Sequence, residues 1–176
     1  MNADFEIRRA TEVDVPALTE FGARTFRESF AKDNTAEDME KHLASSWRLD
    51  LQRAEVGDPS IDTLVAVSND GFAGFAMVRE RHSPPGVSTV KPIELWRFYV
   101  DKPFHGQGVA AGLMKGAKQR AKQRGASFLW LGVWERNERA KAFYAKHGFS
   151  KVGSQVFVVG SDPQTDHVML CALEGA

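Results

Sequence analysis

The stretch Asp101–Met114, DKPFHGQGVAAGLM, decides how the chain is read. It follows an aromatic run that ends at Val100 and carries Gly106 and Gly108 one residue apart. From Val109 onward the apolar residues Val109, Leu113, Ala117 and Ala121 recur at every fourth position, which is one buried face of a helix. A strand, a glycine turn and a helix N-terminus in that order gather free backbone N–H groups at the positive end of a helix dipole. That arrangement suits a phosphate or pyrophosphate. Glycine also lets a ligand come close to the backbone. The same two glycines would serve a plain tight turn equally well, so this stretch alone leaves both readings open.

Two common phosphate patterns fail here. Gly106, Gly108 and Ala111 satisfy a loose G-x-G-x-x-G/A, but five residues separate Val100 from Gly106. Only one further helix–strand unit follows, where a dinucleotide fold needs several. The Gly-Lys-Ser/Thr of a Walker loop does not occur.

Working outward, Phe5–Arg9 alternates as a short strand, and TEVDVPALTEFGARTFRESFA predicts an amphipathic helix with Pro16 near its start. A second helix is expected from about Thr35, with Met39, Leu43 and Trp47 four apart. Ile61–Val67 and Phe72–Glu80 read as a hairpin around Asn69-Asp70-Gly71, and HSPPGVSTVKP as a loop. Then come a strand IELWRFYV, the glycine turn, a helix from about Gly108 to Arg124, a strand SFLWLGVW and a helix NERAKAFYAKH. Two terminal strands follow near Lys151–Val159 and His167–Leu173. The expected order is β-α-α-β-β-β-α-β-α-β-β, a mixed α/β sheet with an antiparallel front. Residues 1–176 are expected to form one domain.

Basic and acidic residues balance, so bulk charge points to neither nucleic acid nor a membrane surface as partner. The distribution is uneven. The first sixty residues are acidic and Lys102–Lys151 is basic, so one half would favour a cation and the other an anion. The single Cys171 excludes an internal disulfide. No apolar run reaches the length of a membrane span, and a cytoplasmic location is expected. His42, His82, His105, His147 and His167 show no ligand spacing, and no metal is expected.

FYVDKPFHGQGVA resembles the acetyl-CoA loop of the GNAT acetyltransferase superfamily, Arg/Gln-x-x-Gly-x-Gly/Ala after an aromatic-valine strand end. Gly108 and Ala110 fit that pattern, while His105 stands where Arg or Gln is usual. WLGVWERNERAKAFYAKHGF resembles the superfamily's second cofactor motif. The resemblance runs from about Glu6 to Leu173. FRESFAKDNTAEDMEKHLA, WLGVWERN and GSQVFVVGSDPQTDHVML are similar to the spermidine/spermine N-acetyltransferase (PaiA-like) branch.

The resemblance implies an acyl-CoA N-acyltransferase fold and direct acetyl transfer from acetyl-CoA to an amine, plausibly a polyamine. A peptide N-terminus, an amino acid, a drug-like amine, or a CoA sensor without turnover are the alternatives; a dinucleotide-binding module would instead take NAD. Cofactor contacts are expected from Phe98, Tyr99, Val100, His105, Gly106, Gln107, Gly108, Val109, Ala110, Asn137, Phe143 and Tyr144, with the main-chain N–H groups of Gln107 to Ala110 on the pyrophosphate. Lys115, Lys118, Arg120, Lys122 and Arg124 are available to steer the anionic cofactor.

An alkyl amine of pKa about 10 must lose a proton before attack, an oxyanion needs a donor, and a thiolate leaves more easily beside an acid. Glu94 is the candidate base, placed by strand alternation with Trp96, Phe98 and Val100 unless a bulge intervenes. Arg97 would then lie on the opposite face. Tyr144 is the candidate acid, on one helix face with Ala140 and Phe143, and Asn137 caps that helix. Acceptor contacts are expected from Glu28, Asp33 and Trp96, within an acidic group that also holds Glu37, Asp38 and Glu40. Pairing of exposed terminal strand edges would allow a homodimer.

Overall fold

The computed structural model describes residues 4–69, 71–84, 86–88 and 91–173. The elements are β1 (Phe5–Arg9), α1 (Val15–Phe30), α2 (Ala36–Ser46), α3 (Leu49–Gly57), β2 (Ile61–Ser68), β3 (Gly71–Glu80) and β4 (Ile93–Val100). They continue with α4 (Val109–Gln123), β5 (Phe128–Trp134), α5 (Glu138–Lys146), β6 (Ser150–Val159) and β7 (Asp162–Ala172). One seven-stranded sheet runs in the order β1-β2-β3-β4-β5-β7-β6. Every neighbouring pair is antiparallel except β4 and β5.

The sheet separates two apolar layers. On one side Val109, Leu113, Met114, Ala117 and Ala121 of α4 and Tyr144 of α5 pack on Ile93, Leu95, Leu129 and Leu131. On the other, Leu18, Phe21 and Phe26 of α1 and Met39 and Leu43 of α2 pack on Phe75 and Met77. Local signals set the helix ends. Pro16 sits in the first turn of α1, and the Thr35 side chain accepts a hydrogen bond from the Asp38 N–H to cap α2.

Two elements differ from expectation. Helix α3 has no counterpart in the expected order, because its buried positions are Gln52 and Glu55 in place of apolar residues, which hides the helical period. Strand β7 begins at Asp162, before the expected His167, with Pro163 inside it. Pro163 pairs with Val158 of β6 but lies beyond the reach of β5, which joins only from Asp166; at that end β7 is an edge and tolerates proline. The hairpin turn includes Asp70 and the following loop Pro85, Thr89 and Val90, which lie outside the described residues.

Under the first strands sits a carboxylate that must be paired. Asp62 on β2 is fully buried and accepts from Arg120 (2.7 Å) and Arg124 (2.6 Å) of the α4 end, with Arg9 of β1 at 3.1 Å. Burial alone would raise its pKa; the arginine hydrogen bonds outweigh burial and hold it below the ordinary value. These basic residues at the end of α4 are therefore fixing the helix to the sheet.

Asp62→Ala is expected to lower stability by about 3 kcal/mol at pH 7, read as a reduced denaturant midpoint, because three guanidinium groups lose a buried partner. The contribution of this depressed carboxyl is present above the unfolded pKa of about 4 and is lost as pH falls through the lower folded value. The gap between variant and wild type should therefore close on acidification.

Candidate active site

Strands β4 and β5 share only the pairs Ile93 with Leu129 and Glu94 with Trp130. Beyond them the strands part, and the gap opens into a cleft of about 1030 Å³. A bulge in β4 contributes to this divergence. Met77 of β3 faces Arg97 and Val78 faces Leu95, so Trp96 is an extra residue with no partner of its own.

The bulge reverses the alternation. Ile93, Leu95, Phe98 and Val100 belong to the α4–α5 side, whereas Trp96 and Tyr99 pack on the α1–α2 side. The expectation that Glu94 shares a face with Phe98 and Val100 is therefore corrected, as is the placing of Arg97 opposite to Trp96.

On the α4–α5 side the cleft is lined by Phe98, Val100, His105, Gly106, Gly108, Ala110, Asn137, Phe143 and Tyr144. Gly106 (φ +78°) and Gly108 (φ +91°) hold left-handed conformations, and a Cβ on either would point into open space. Gly112 makes the first helical bond, to the Gly108 carbonyl, so the N–H groups of Val109, Ala110 and Ala111 have no acceptor within the helix. A phosphate fits that cradle: donors face outward, a dipole is positive there, and no side chain fills the space.

Three expected contacts are narrower than the sequence suggested. Gln107 spends its N–H on the Phe104 carbonyl (3.3 Å), and its side-chain amide folds back to the Pro103 carbonyl (2.5 Å). The Val109 side chain is buried in the core, leaving its backbone alone to face the cleft. His105 bonds through Nε2 to the Val100 carbonyl at 2.9 Å, tying the turn to the end of β4.

Tyr144 is buried in an aromatic group with Phe98, Phe143 and Phe149, with ring centroids 5.6 to 6.2 Å apart. Burial first, and the neighbouring Tyr99 second, raise its pKa well above the ordinary phenol value, so the hydroxyl keeps its proton at neutral pH. The Asn137 side chain accepts from the Ala140 N–H (3.1 Å) and starts α5, which fixes where Phe143 and Tyr144 project.

Glu94 does not line the cleft. It is 5% exposed, and its Oε2 accepts from Arg79 at 2.6 Å and Arg81 at 3.3 Å. The Arg79 guanidinium lies 3.6 Å from the centre of the Trp96 ring, so Glu94 reaches the cleft wall only through those two residues. Arg97 is buried as well, bonded to Glu55 (2.5 Å) and placed over Trp47 and Trp96.

Across the cleft stand Glu28, Phe30, Asp33, Trp96, Tyr99, Gly132 and Trp134. Of the acidic group, only Glu28 and Asp33 face the cleft. Glu37 pairs with Lys41, Glu40 with Arg27, and Asp38 caps the β6–β7 turn through Ser161. Glu28 is shared by Arg24 (3.1 Å) and Lys102 (3.8 Å), while Asp33 has no ion pair among the described residues.

The basic residues that line the cleft are Lys32 beside Asp33, the buried Arg97, and Lys102, Arg136 and Arg139, whereas the basic residues of α4 do not line it. Lys118 donates to the His147 carbonyl, and Arg120 and Arg124 are held by Asp62. The signal for Arg136 and Arg139 was present in ERNERA, since both flank the cap Asn137. Among the described residues no three His, Cys, Asp or Glu side chains converge on a metal-sized site, and no helix is long and apolar enough to cross a membrane.

The model of the Acetyltransferase (GNAT) family matches residues 23–149. An uncharacterized N-acetyltransferase encoded in the pepI 3' region of Lactobacillus delbrueckii subsp. lactis is 32% identical over 168 residues, spanning 96% of this chain and 97% of that protein. Streptothricin acetyltransferase of Streptomyces lavendulae is 32% identical over 123 residues, 68% of this chain and 61% of that protein. In structure the chain is similar to the PaiA N-acetyltransferase of Thermoplasma acidophilum in complex with coenzyme A. The TM-score is 0.79 at 20% identity, covering 96% of this chain and 99% of that one.

Gly108→Ala is expected to weaken coenzyme A binding at least about tenfold, or about 1.4 kcal/mol, in calorimetric titration. The added methyl enters the cradle at a backbone angle that alanine resists. Gly57→Ala, at the end of α3 with open space around it, should leave that affinity unchanged.

Proposed function

The chain belongs to the acetyltransferase (GNAT) family and is an N-acetyltransferase; from that premise we propose that it moves acetyl directly from acetyl-CoA to a primary amine of a small polycationic molecule, a polyamine such as spermidine or spermine. The observation that carries the reading is a single cleft with two chemistries. It runs from the free N–H groups after Gly108, through the parting of β4 and β5, to Glu28 and Asp33. An anionic cosubstrate suits the first end and a cationic acceptor the second.

Acetyl-CoA, when bound, supplies a thioester whose acetyl carbon is open to attack by an amine. The N–H groups of Val109, Ala110 and Ala111 would hold its phosphates, with Lys102, Arg136 and Arg139 adding positive charge nearby. Phe98 and Val100 offer strand backbone that β5 does not pair, and Phe143 and Asn137 complete that wall. The Tyr144 hydroxyl, protonated at neutral pH, would donate toward the departing sulfur. In this reading Glu94 is a positioning residue that steadies Arg79 against Trp96.

A second reading, a cationic antibiotic as acceptor, is favoured by the similarity to streptothricin acetyltransferase. Both acceptors carry several positive charges, and both would meet Glu28 and Asp33.

Free-thiol release from acetyl-CoA should be fastest with polycationic amines in a panel of spermidine, spermine, streptothricin, lysine and a short neutral peptide. Turnover should fall as ionic strength rises, because the steering charges are exposed. Equal rates across the panel, or no salt effect, would count against a charge-selected acceptor. Binding of coenzyme A with no turnover of any amine would point to a sensor. Tyr144→Phe should lower kcat about 100-fold with coenzyme A affinity retained, which separates a proton donor from a packing residue.

A further inference from the structure

Gly132 is the one position of β5 on the cleft wall where the absence of a side chain has an evident use. A Cβ there would meet Gln155 Nε2 at 2.5 Å and Asp166 Oδ2 at 3.0 Å. Asp166 on β7 pairs directly with Trp134 of β5 on one side and Gln155 of β6 on the other, so these side chains share the acceptor face of the sheet. Glycine inside a strand marks a close approach of something else. Here two polar side chains from the last hairpin occupy that approach.

Neither group has a side-chain partner among the described residues. The Asp166 carboxylate is 8% exposed, accepts no hydrogen bond and forms no ion pair with any described residue. The Gln155 amide likewise makes no side-chain hydrogen bond among the described residues. Buried carboxylates are ordinarily paired, and the described residues supply no partner for this one.

The neighbouring groups leave that role open. From β4, Tyr99 is coupled to Asp166 and is pushed up to about 12, by burial first and by Asp166 in smaller part. On the same side of the sheet Arg97 is committed to Glu55, and His42 on α2 is held below its ordinary pKa by burial and by Arg97. Neither offers Asp166 a cation at neutral pH. Burial pushes Asp166 itself up to about 6, a value suited to accepting a proton from an ammonium near pH 7.

Resting on the reading of a cationic amine acceptor, we propose that Asp166, reached across Gly132, receives the acceptor's ammonium group and takes its proton, with Gln155 as a second hydrogen-bonding contact. One N–H bond of the ammonium breaks, its proton passes to the carboxylate, and the electron pair stays on nitrogen as the nucleophile. The carboxyl later returns the proton to water. This assigns to β7 the part that Glu94, closed off by Arg79 and Arg81, is not placed to play.

The test is Asp166→Asn, with Gln155→Leu beside it. With spermidine as acceptor, wild-type kcat/KM should rise with pH through an inflection near 6 and level off. Asp166→Asn should lose that inflection and fall at least about 100-fold at pH 7.5, with coenzyme A affinity unchanged. Gln155→Leu should raise KM more than it lowers kcat.

A melting experiment needs no acceptor. Because the carboxyl's folded pKa is raised, the cost of ionising it starts above the unfolded value of about 4 and is full above about 6, so Asp166→Asn should melt about 3 °C higher than wild type at pH 7.5, by less at pH 5, and level with it only below about pH 4. A structural aspartate would give the opposite sign. An active wild type with Asp166→Asn within about twofold of it, or a lower melting point for the variant at pH 7.5, would overturn the proposal. A wild type that acetylates no amine in the panel would overturn the acceptor reading beneath it, a different result from an active enzyme indifferent to Asp166.

Discussion

A guanidinium buried between two indole rings organises the centre of this molecule. Arg97 donates to Glu55 and Gln52 of α3 and to the Ser46 carbonyl at the end of α2, and it lies over Trp47 and Trp96. A buried charge demands such partners, and meeting the demand fixes the α2–α3 junction against β4. It also fixes the bulge. With Trp96 as the extra residue, Arg97 and Tyr99 turn toward the first helices while Phe98 and Val100 turn toward α4 and α5.

From that bulge the two sides of the site follow. Beyond Glu94 and Trp130 the parallel strands no longer pair, and the sheet offers backbone where a neighbouring strand would otherwise lie. The α4–α5 side is positive and rich in free N–H groups. The α1–α2 side holds Glu28 and Asp33, and Gly132 on its wall has the buried Asp166 carboxylate beside it. The parting of β4 and β5 joins these two environments in one cleft. Two aromatic groups, Phe98 with Phe143 and Tyr144 on one side and Phe75 with Tyr99 and Trp47 on the other, pack on the two sides of the sheet.

Much of this was legible in the residues. The glycine turn and the fourfold spacing after it place α4, Thr35 and Asn137 mark two helix starts, and Tyr144 follows from the face it shares with Phe143. Helix α3 was not legible, because Gln52 and Glu55 occupy the positions that apolar residues would use to announce it. The acidic residues from Glu28 to Glu40, on α1, α2 and the link between them, form one group in the sequence. In the fold they divide among Lys41, Arg27 and Ser161, and only Glu28 and Asp33 reach the cleft.

The sequence by itself determined the elements whose signals are local: alternation, helical spacing, caps, and glycines at positive φ in the cofactor turn. Tertiary structure alone decided the rest, because these features depend on residues far apart in the chain. The bulge at Trp96 is a mismatch between β3 and β4 and has no signature within β4. Glu94 is held away from the cleft by Arg79 of β3 and by Arg81 just after it. The Asp166 carboxylate comes to lie beside Gly132, thirty-four positions earlier in the chain, only because β7 inserts between β5 and β6.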